Sequence, residues 1–158
     1  MIDIGYYESL SDDEKVRFIF CLDDLNPENV VFLLDVAKQA NEYDLARIEA
    51  IKSLGVYALT SDADEQEAVS SELIDLAKYD NNDDVRNYAL QSLELLRNVE
   101  NIPREIAGIV LGADEDDLVR EAAYAVIVSQ RNNPDAKAIL QKLVGDAMFG
   151  KSAVRDLA

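Results

Sequence analysis

Histidine is absent from this chain, and cysteine occurs once, at Cys21. These two shortages remove most of the common side-chain chemistry. No nucleophile–base pair can be built on imidazole, and zinc sites made of His and Cys are excluded by count. No intrachain disulfide can form. Cys21 stands among Phe18, Ile19, Phe20 and Leu22 and is followed by Asp23 and Asp24. It therefore reads as a small buried apolar residue, since a reactive thiol would want basic neighbours. Only three prolines and six glycines occur, which suits helices better than a strand-rich fold. No apolar run approaches the ~20 residues of a membrane span. The first residues, Met1-Ile-Asp-Ile-Gly-Tyr-Tyr-Glu8, lack the basic-then-apolar pattern of a secretory signal. A cytoplasmic location is the expectation.

Positive charge is the next shortage. Fifteen basic residues face 32 acidic ones, a formal −17. Residues 1–79 carry −12 of it and residues 80–158 carry −5. Direct nucleic-acid binding is disfavoured, because phosphate contacts need clustered Lys and Arg. A bare anionic membrane surface is disfavoured for the same reason. What remains is either attraction of a basic protein, with electrostatic steering of its approach, or a highly solvated surface whose charge serves solubility alone.

What the chain does have is a phrase written four times. It reads Asp44-Leu-Ala-Arg47-Ile-Glu-Ala50, then Asp83-Asp-Val-Arg86-Asn-Tyr-Ala89, then Asp117-Leu-Val-Arg120-Glu-Ala-Ala123, and last Ser152-Ala-Val-Arg155-Asp-Leu-Ala158. The arginines lie 39, 34 and 35 residues apart, the period of a helical-repeat array. Pro27, Pro103 and Pro134 precede Arg47, Arg120 and Arg155 by similar intervals. Proline is tolerated at the first helical position, so each marks the start of the first helix of a pair. Apolar spacing supports helices throughout, and no strand-like alternation with hairpin turn signals competes. The expected organisation is one all-α domain over 1–158. Residues 1–26 supply an N-terminal capping helix, and pairs follow at about 27–60, 61–99, 100–132 and 133–158.

Within the first three copies the aspartate is placed to cap the second helix of its pair. The arginine three residues on can reach that aspartate or a carbonyl of the next repeat, and the alanine after it permits close packing. Asp44, Arg47, Asp83, Arg86, Asp117, Arg120 and Arg155 are thus expected as structural repeat residues. This pattern on the second helix of a hairpin resembles HEAT repeats. It is closest to the short bacterial HEAT-like repeats first noted in phycobilisome lyases, over roughly residues 27–158. The resemblance implies a right-handed α-α superhelix of about four hairpins, with second helices lining a concave face and first helices outside. Two departures stand out. The connector Ser61-Asp-Ala-Asp-Glu-Gln-Glu67 is longer than the others, and the last unit stops at Ala158: either the sequence is cut there, or the last pair is a stub expected to leave apolar surface at Ile139, Leu143 and Val154. Such an end could frame a homodimer or simply fray.

Catalytic and metal constellations fail on inspection. The glycines form neither a phosphate-binding loop nor a dinucleotide fingerprint. Of the acidic runs Asp62–Glu67 and Asp114–Asp117, the first lacks the calcium-loop glycine at its sixth position and has Leu73 where the closing Glu should stand. Both precede helices, where acids favour the positive end of the dipole. No cofactor, metal or catalytic residue is expected, and the chain is read as a non-enzyme. If second helices line the concave face, positions one, five and eight after each arginine form a stripe. These are Ile48, Lys52 and Gly55; Asn87, Gln91 and Glu94; and Glu121, Ala125 and Val128, with Tyr124 beside the last. The partner-binding candidates are Asn87, Gln91, Glu94, Glu121 and Tyr124; Tyr124 and Tyr88 are either interface anchors or packed between repeats. Three functional readings follow. The first is a HEAT-like scaffold or adaptor holding a basic protein. The second is an immunity protein or inhibitor of a basic toxin such as a nuclease. The third, suggested by family naming alone, is a lyase-like or chromophore-handling protein.

Overall fold

The described residues form ten helices and no strand. The computed structural model describes residues 2–22 and 25–158. In chain order the helices are α1 (Ile4–Ser9), α2 (Asp12–Phe20), α3 (Pro27–Lys38), α4 (Asp44–Thr60) and α5 (Ala63–Tyr79). They continue as α6 (Asp83–Glu94), α7 (Ile102–Leu111), α8 (Asp117–Ser129), α9 (Pro134–Leu143) and α10 (Gly150–Leu157). The protein is all-helical.

Local chemistry sets the boundaries. Pro27 and Pro134 open α3 and α9, and Pro103 is the second residue of α7, positions whose missing N–H costs no intrahelical bond. Ser11 and Glu14 form a reciprocal capping box at α2. Asn26 and Asn133 accept from the first-turn N–H groups of α3 and α9. Asp62 accepts from the Glu65 N–H at 3.0 Å and starts α5 at Ala63. The acidic run expected as a long connector is therefore the opening of a 17-residue helix. The N-terminal segment likewise holds two helices where one was expected.

Four antiparallel pairs follow: α3 with α4, α5 with α6, α7 with α8, and α9 with α10. Second helices also pack on one another, α4 on α6 and α6 on α8, while the first helices α5, α7 and α9 meet in series. Before them α2 packs on α4, in the place an earlier second helix would take. An aromatic cluster fastens this cap: the Tyr7 ring lies 5.0 Å from Phe32 and 5.6 Å from Phe18, both in tilted or edge-on geometry. The core is a continuous band of Leu, Ile, Val and Ala. Ala50, Ala89 and Ala123, the small residues after the repeat arginines, are fully buried.

Three expectations are corrected here. Cys21 is exposed, because α2 ends at Phe20 and Cys21 forms its C-cap facing solvent. Ile139 and Leu143 are buried beneath α10, so only Val154 of the three residues expected to be open at the last pair is exposed. The repeat aspartates Asp44, Asp83 and Asp117 are not N-caps. Each is the first helical residue, and the capping position is held by Tyr43, Asn82 and Asp116 respectively. The Asn82 and Asp116 side chains each accept two backbone N–H groups, which leaves Asp83 and Asp117 to favour the helix dipole from outside.

Candidate protein-binding surface

The three internal arginines are buried and multiply hydrogen-bonded. Each is the fourth residue of its helix and is nearly inaccessible, Arg47 at 2%. Each donates from Nε to a carbonyl near the C-terminus of the preceding helix: Arg47 to Ala37 at 3.0 Å, Arg86 to Ala77 at 2.9 Å, Arg120 to Val110 at 3.2 Å. Those carbonyls lie at the negative end of a helix, where acceptors lack intrahelical donors. The rest of each guanidinium crosses to a carboxylate in the turn of the next pair. Arg47 binds Asp80, Arg86 binds Glu115 with its two Nη atoms at 2.7 and 2.5 Å, and Arg120 binds Asp146 at 2.8 Å. Only Arg86 also reaches its own repeat aspartate, Asp83, at 3.1 Å.

Lys15 of α2 repeats the theme with Glu42, at 2.8 and 3.0 Å. The pattern is a series of rungs in which a cation on one helix pair meets an acid in the turn of the next. Its electrostatics follow from the contacts. The Arg86 guanidinium holds the Glu115 carboxyl below the usual carboxylate range. Burial acts against Glu42 and Asp146. For Glu42 it is outweighed by Lys15 and the Tyr43 N–H, and for Asp146 by Arg120 and the N–H groups of Phe149 and Met148; both carboxyls lie low.

Arg155 does not continue the series. The fourth residue of α10 is Ala153, fully buried, so the last copy of the phrase is two positions out of helical register. The Arg155 side chain is 73% exposed and pairs with the adjacent Asp156 at 2.9 Å. Asp156 in turn accepts from the Tyr124 hydroxyl at 2.7 Å, and the Tyr124 ring stacks on Phe149 at 4.5 Å. Tyr124 is thus half-buried and packed against the start and the end of α10.

The other partner-binding candidates lie on α6 and α8. Gln91 and Glu121 are exposed, while Asn87 and Glu94 are half-buried, and Gln91 donates to Asn87 at 3.1 Å. Of the remaining stripe, Ile48 and Gly55 are buried between α4 and α6, where a side chain at Gly55 would meet the Ser92 Cβ at 2.7 Å. The face that solvent actually reaches on α4 runs through Leu45, Lys52, Val56 and Leu59. At 100° per residue it is turned by roughly 50° from the expected stripe. Corresponding positions on α6 are Asp84, Gln91 and Leu95, and on α8 Leu118, Ala125 and Ser129.

Charge divides between the two edges of the layered helices. The turns inside the pairs, at 39–43, 80–82, 112–116 and 144–149, are joined by the arginine rungs and share one edge. There the exposed acids are Asp44, Asp83, Asp84, Asp114, Asp116 and Asp117. The connections between pairs share the opposite edge, where Asn133 donates to the Glu100 carbonyl at 2.9 Å. They border an open polar groove of about 1320 Å³, where charge is mixed: Arg97 and Arg104 stand in the lining with Glu67, Glu100 and Asp135. Among the described residues no group of three or more acids or thiols is arranged to hold a metal ion. No helix among them is long and apolar enough to cross a membrane.

The turn acids Glu42, Asp80, Glu115 and Asp146 were missed by sequence reasoning. Their spacing follows that of the arginines only loosely, and the one usable signal is an acid shortly before each second helix. Comparison of the chain with protein-family models, with curated proteins and with solved structures gave no match.

Proposed function

We propose that the protein is a non-catalytic HEAT-like stack, a right-handed superhelix of four hairpins, that binds a basic protein through the acidic edge and the solvent face of its second helices. One observation carries this reading. The buried arginines spend their charge mainly on acids in the neighbouring turns, and of the exposed acids on that edge only Asp83, paired with Arg86, is offset by one of them. The exposed carboxylates of Asp44, Asp84, Asp114, Asp116 and Asp117 form no ion pair among the described residues and lie along one edge. A concentration of one sign on a rigid edge steers an oppositely charged partner and raises its association rate.

Titration calorimetry with a small basic protein at low and at physiological salt tests the reading. The probe is compared on the wild type and on a variant with Asp83, Asp84, Asp116 and Asp117 each changed to Asn, which keeps the cap geometry. The expected result is binding that weakens with salt and weakens further in the variant. Binding indifferent to both salt and neutralisation would refute the reading, as would no binding at low salt.

A further inference from the structure

The helix α4 turns more apolar surface to solvent than its siblings α6 and α8, of which α8 exposes Leu118 at its start. The α4 helix is enclosed by α2, α3, α5 and α6 on its other sides, and the strip left to solvent is apolar at three positions. Leu45 is 51% exposed, Val56 56% and Leu59 50%. A helix facing water normally turns polar residues outward, and the matching strip of α6 does so with Asp84 and Gln91. The α4 residues stand at i, i+11 and i+14, within about 60° of arc, and span about 21 Å along the axis. Lys52, the one polar residue between them, is already paired with Glu49 at 2.8 Å. At the C-cap of the adjoining α6, in the position that corresponds to Val56 of α4, Leu95 is 42% exposed.

The border of this strip is acidic. Asp44 lies at its N-terminal end, Asp83 and Asp84 begin the neighbouring helix at the same edge, and Glu94 lies towards the other end of α6. Between the two helices the floor is shallow, because α4 and α6 approach closely at Gly55 and Ser92 and the Ser92 hydroxyl donates to the Ile51 carbonyl at 3.2 Å. An apolar strip some four helical turns long with carboxylates at its margin is complementary to one kind of ligand.

We infer that the α4–α6 face receives an amphipathic helix of a partner, its apolar side on Leu45, Val56, Leu59 and Leu95 and its Lys or Arg residues over Asp44, Asp83 and Asp84. This rests on the acidic-surface reading above and specifies its occupant. An apolar stripe gives a helix its register on such a face, and the basic flank gives it orientation. Second copies of this chain do not fit, since its own exposed helix ends at that edge are acidic and would repel.

The test uses a labelled peptide of about eighteen residues, made of Leu, Lys and Ala with the leucines on one helical face, and a scrambled peptide of the same composition. Fluorescence anisotropy is read with the wild-type protein and with Val56→Gln/Leu59→Gln, exposed positions where glutamine keeps both helix propensity and net charge. The expected result is saturable binding of the patterned peptide, about tenfold weaker in the variant and in the scrambled sequence. Equal binding of both peptides, or binding untouched by the two glutamines, overturns the inference while leaving general attraction to the acidic edge intact. No peptide binding at all also overturns it. A small basic protein measured in parallel then separates the two readings: salt-sensitive binding of that protein preserves the broader proposal, and its absence removes both. Retained far-UV circular dichroism in the variant confirms that the strip, and not the fold, was changed.

Discussion

Replacing Arg47 with alanine is the sharpest test of how the helix pairs are held together. The side chain is 2% exposed, and its partner Asp80 is 10% exposed. Truncation leaves the Asp80 carboxylate without its guanidinium and the Ala37 carbonyl without its donor. Removing one member of a buried pair costs about 3–5 kcal/mol, mostly because the surviving charge stays desolvated. A domain of this size is stable by about 5–15 kcal/mol, so the variant still folds but over a narrower range. With a urea slope of about 2 kcal/mol per molar, the unfolding midpoint falls by about 2 M. Urea titration followed by circular dichroism measures this directly. Arg155→Ala is the internal control: that side chain is solvent-exposed and only touches Asp156, so the midpoint stays where it was. The double variant Arg47→Met/Asp80→Leu regains most of the loss, since an apolar pair of similar volume avoids the stranded charge. Equal midpoint losses for Arg47→Ala and Arg155→Ala would refute the reasoning, and so would a double variant no better than Arg47→Ala.

Two further outcomes follow from the geometry. The carboxyls of Glu42, Glu115 and Asp146 titrate below their ordinary range in the folded state. Their stabilisation is therefore complete above the unfolded carboxylate value and is lost as pH falls through the depressed folded values. The urea midpoint should be flat from about pH 8 to about pH 5 and decline below about pH 4, and Glu115→Gln should shallow that decline; an inflection near pH 6.5 would contradict a chain without histidine. Glycine replacements should split in sign. At Gly108 an added Cβ meets nothing within 4 Å, so Gly108→Ala should raise stability by about 0.5–1 kcal/mol. At Gly55 it would press on Ser92, so Gly55→Ala should lower stability despite the better helix former. Thermal melts of the pair decide, and a gain at both positions would show that α4 and α6 are not in close contact.

The helix pairs were legible in the sequence because proline placement and a recurring arginine are local signals. The arginines' partners were not, because Asp80, Glu115 and Asp146 lie in turns of differing length and carry no fixed offset from the residues they bind. The aspartate of the phrase was read as a cap since Asp is a good one, but Asn82 and Asp116 stand one residue earlier and take the N–H groups first. The last copy shows the limit of a motif as a ruler. Ser152-Ala-Val-Arg155 matches the phrase in letters, yet α10 begins at Gly150 and gives the inward position to Ala153. On α4 two positions of the expected stripe, Ile48 and Gly55, are buried for a rotational reason. Counting from the arginine placed Gly55 in the open, whereas Ser92 of the neighbouring helix already fills that angle.

The rungs have a consequence for how the molecule comes apart. Each arginine takes one partner from its own helix pair and one from the pair after it, so no pair owns its fastening outright. A hairpin that opens strands a guanidinium on one side or a carboxylate on the other, and the penalty falls on the neighbour that remained folded. Fastening shared in this way couples adjacent units strongly. The middle of the chain should therefore exchange its amide protons as one block, with a single free energy from α4 to α8. Local opening should be confined to α1 and α10, the helices outside the series.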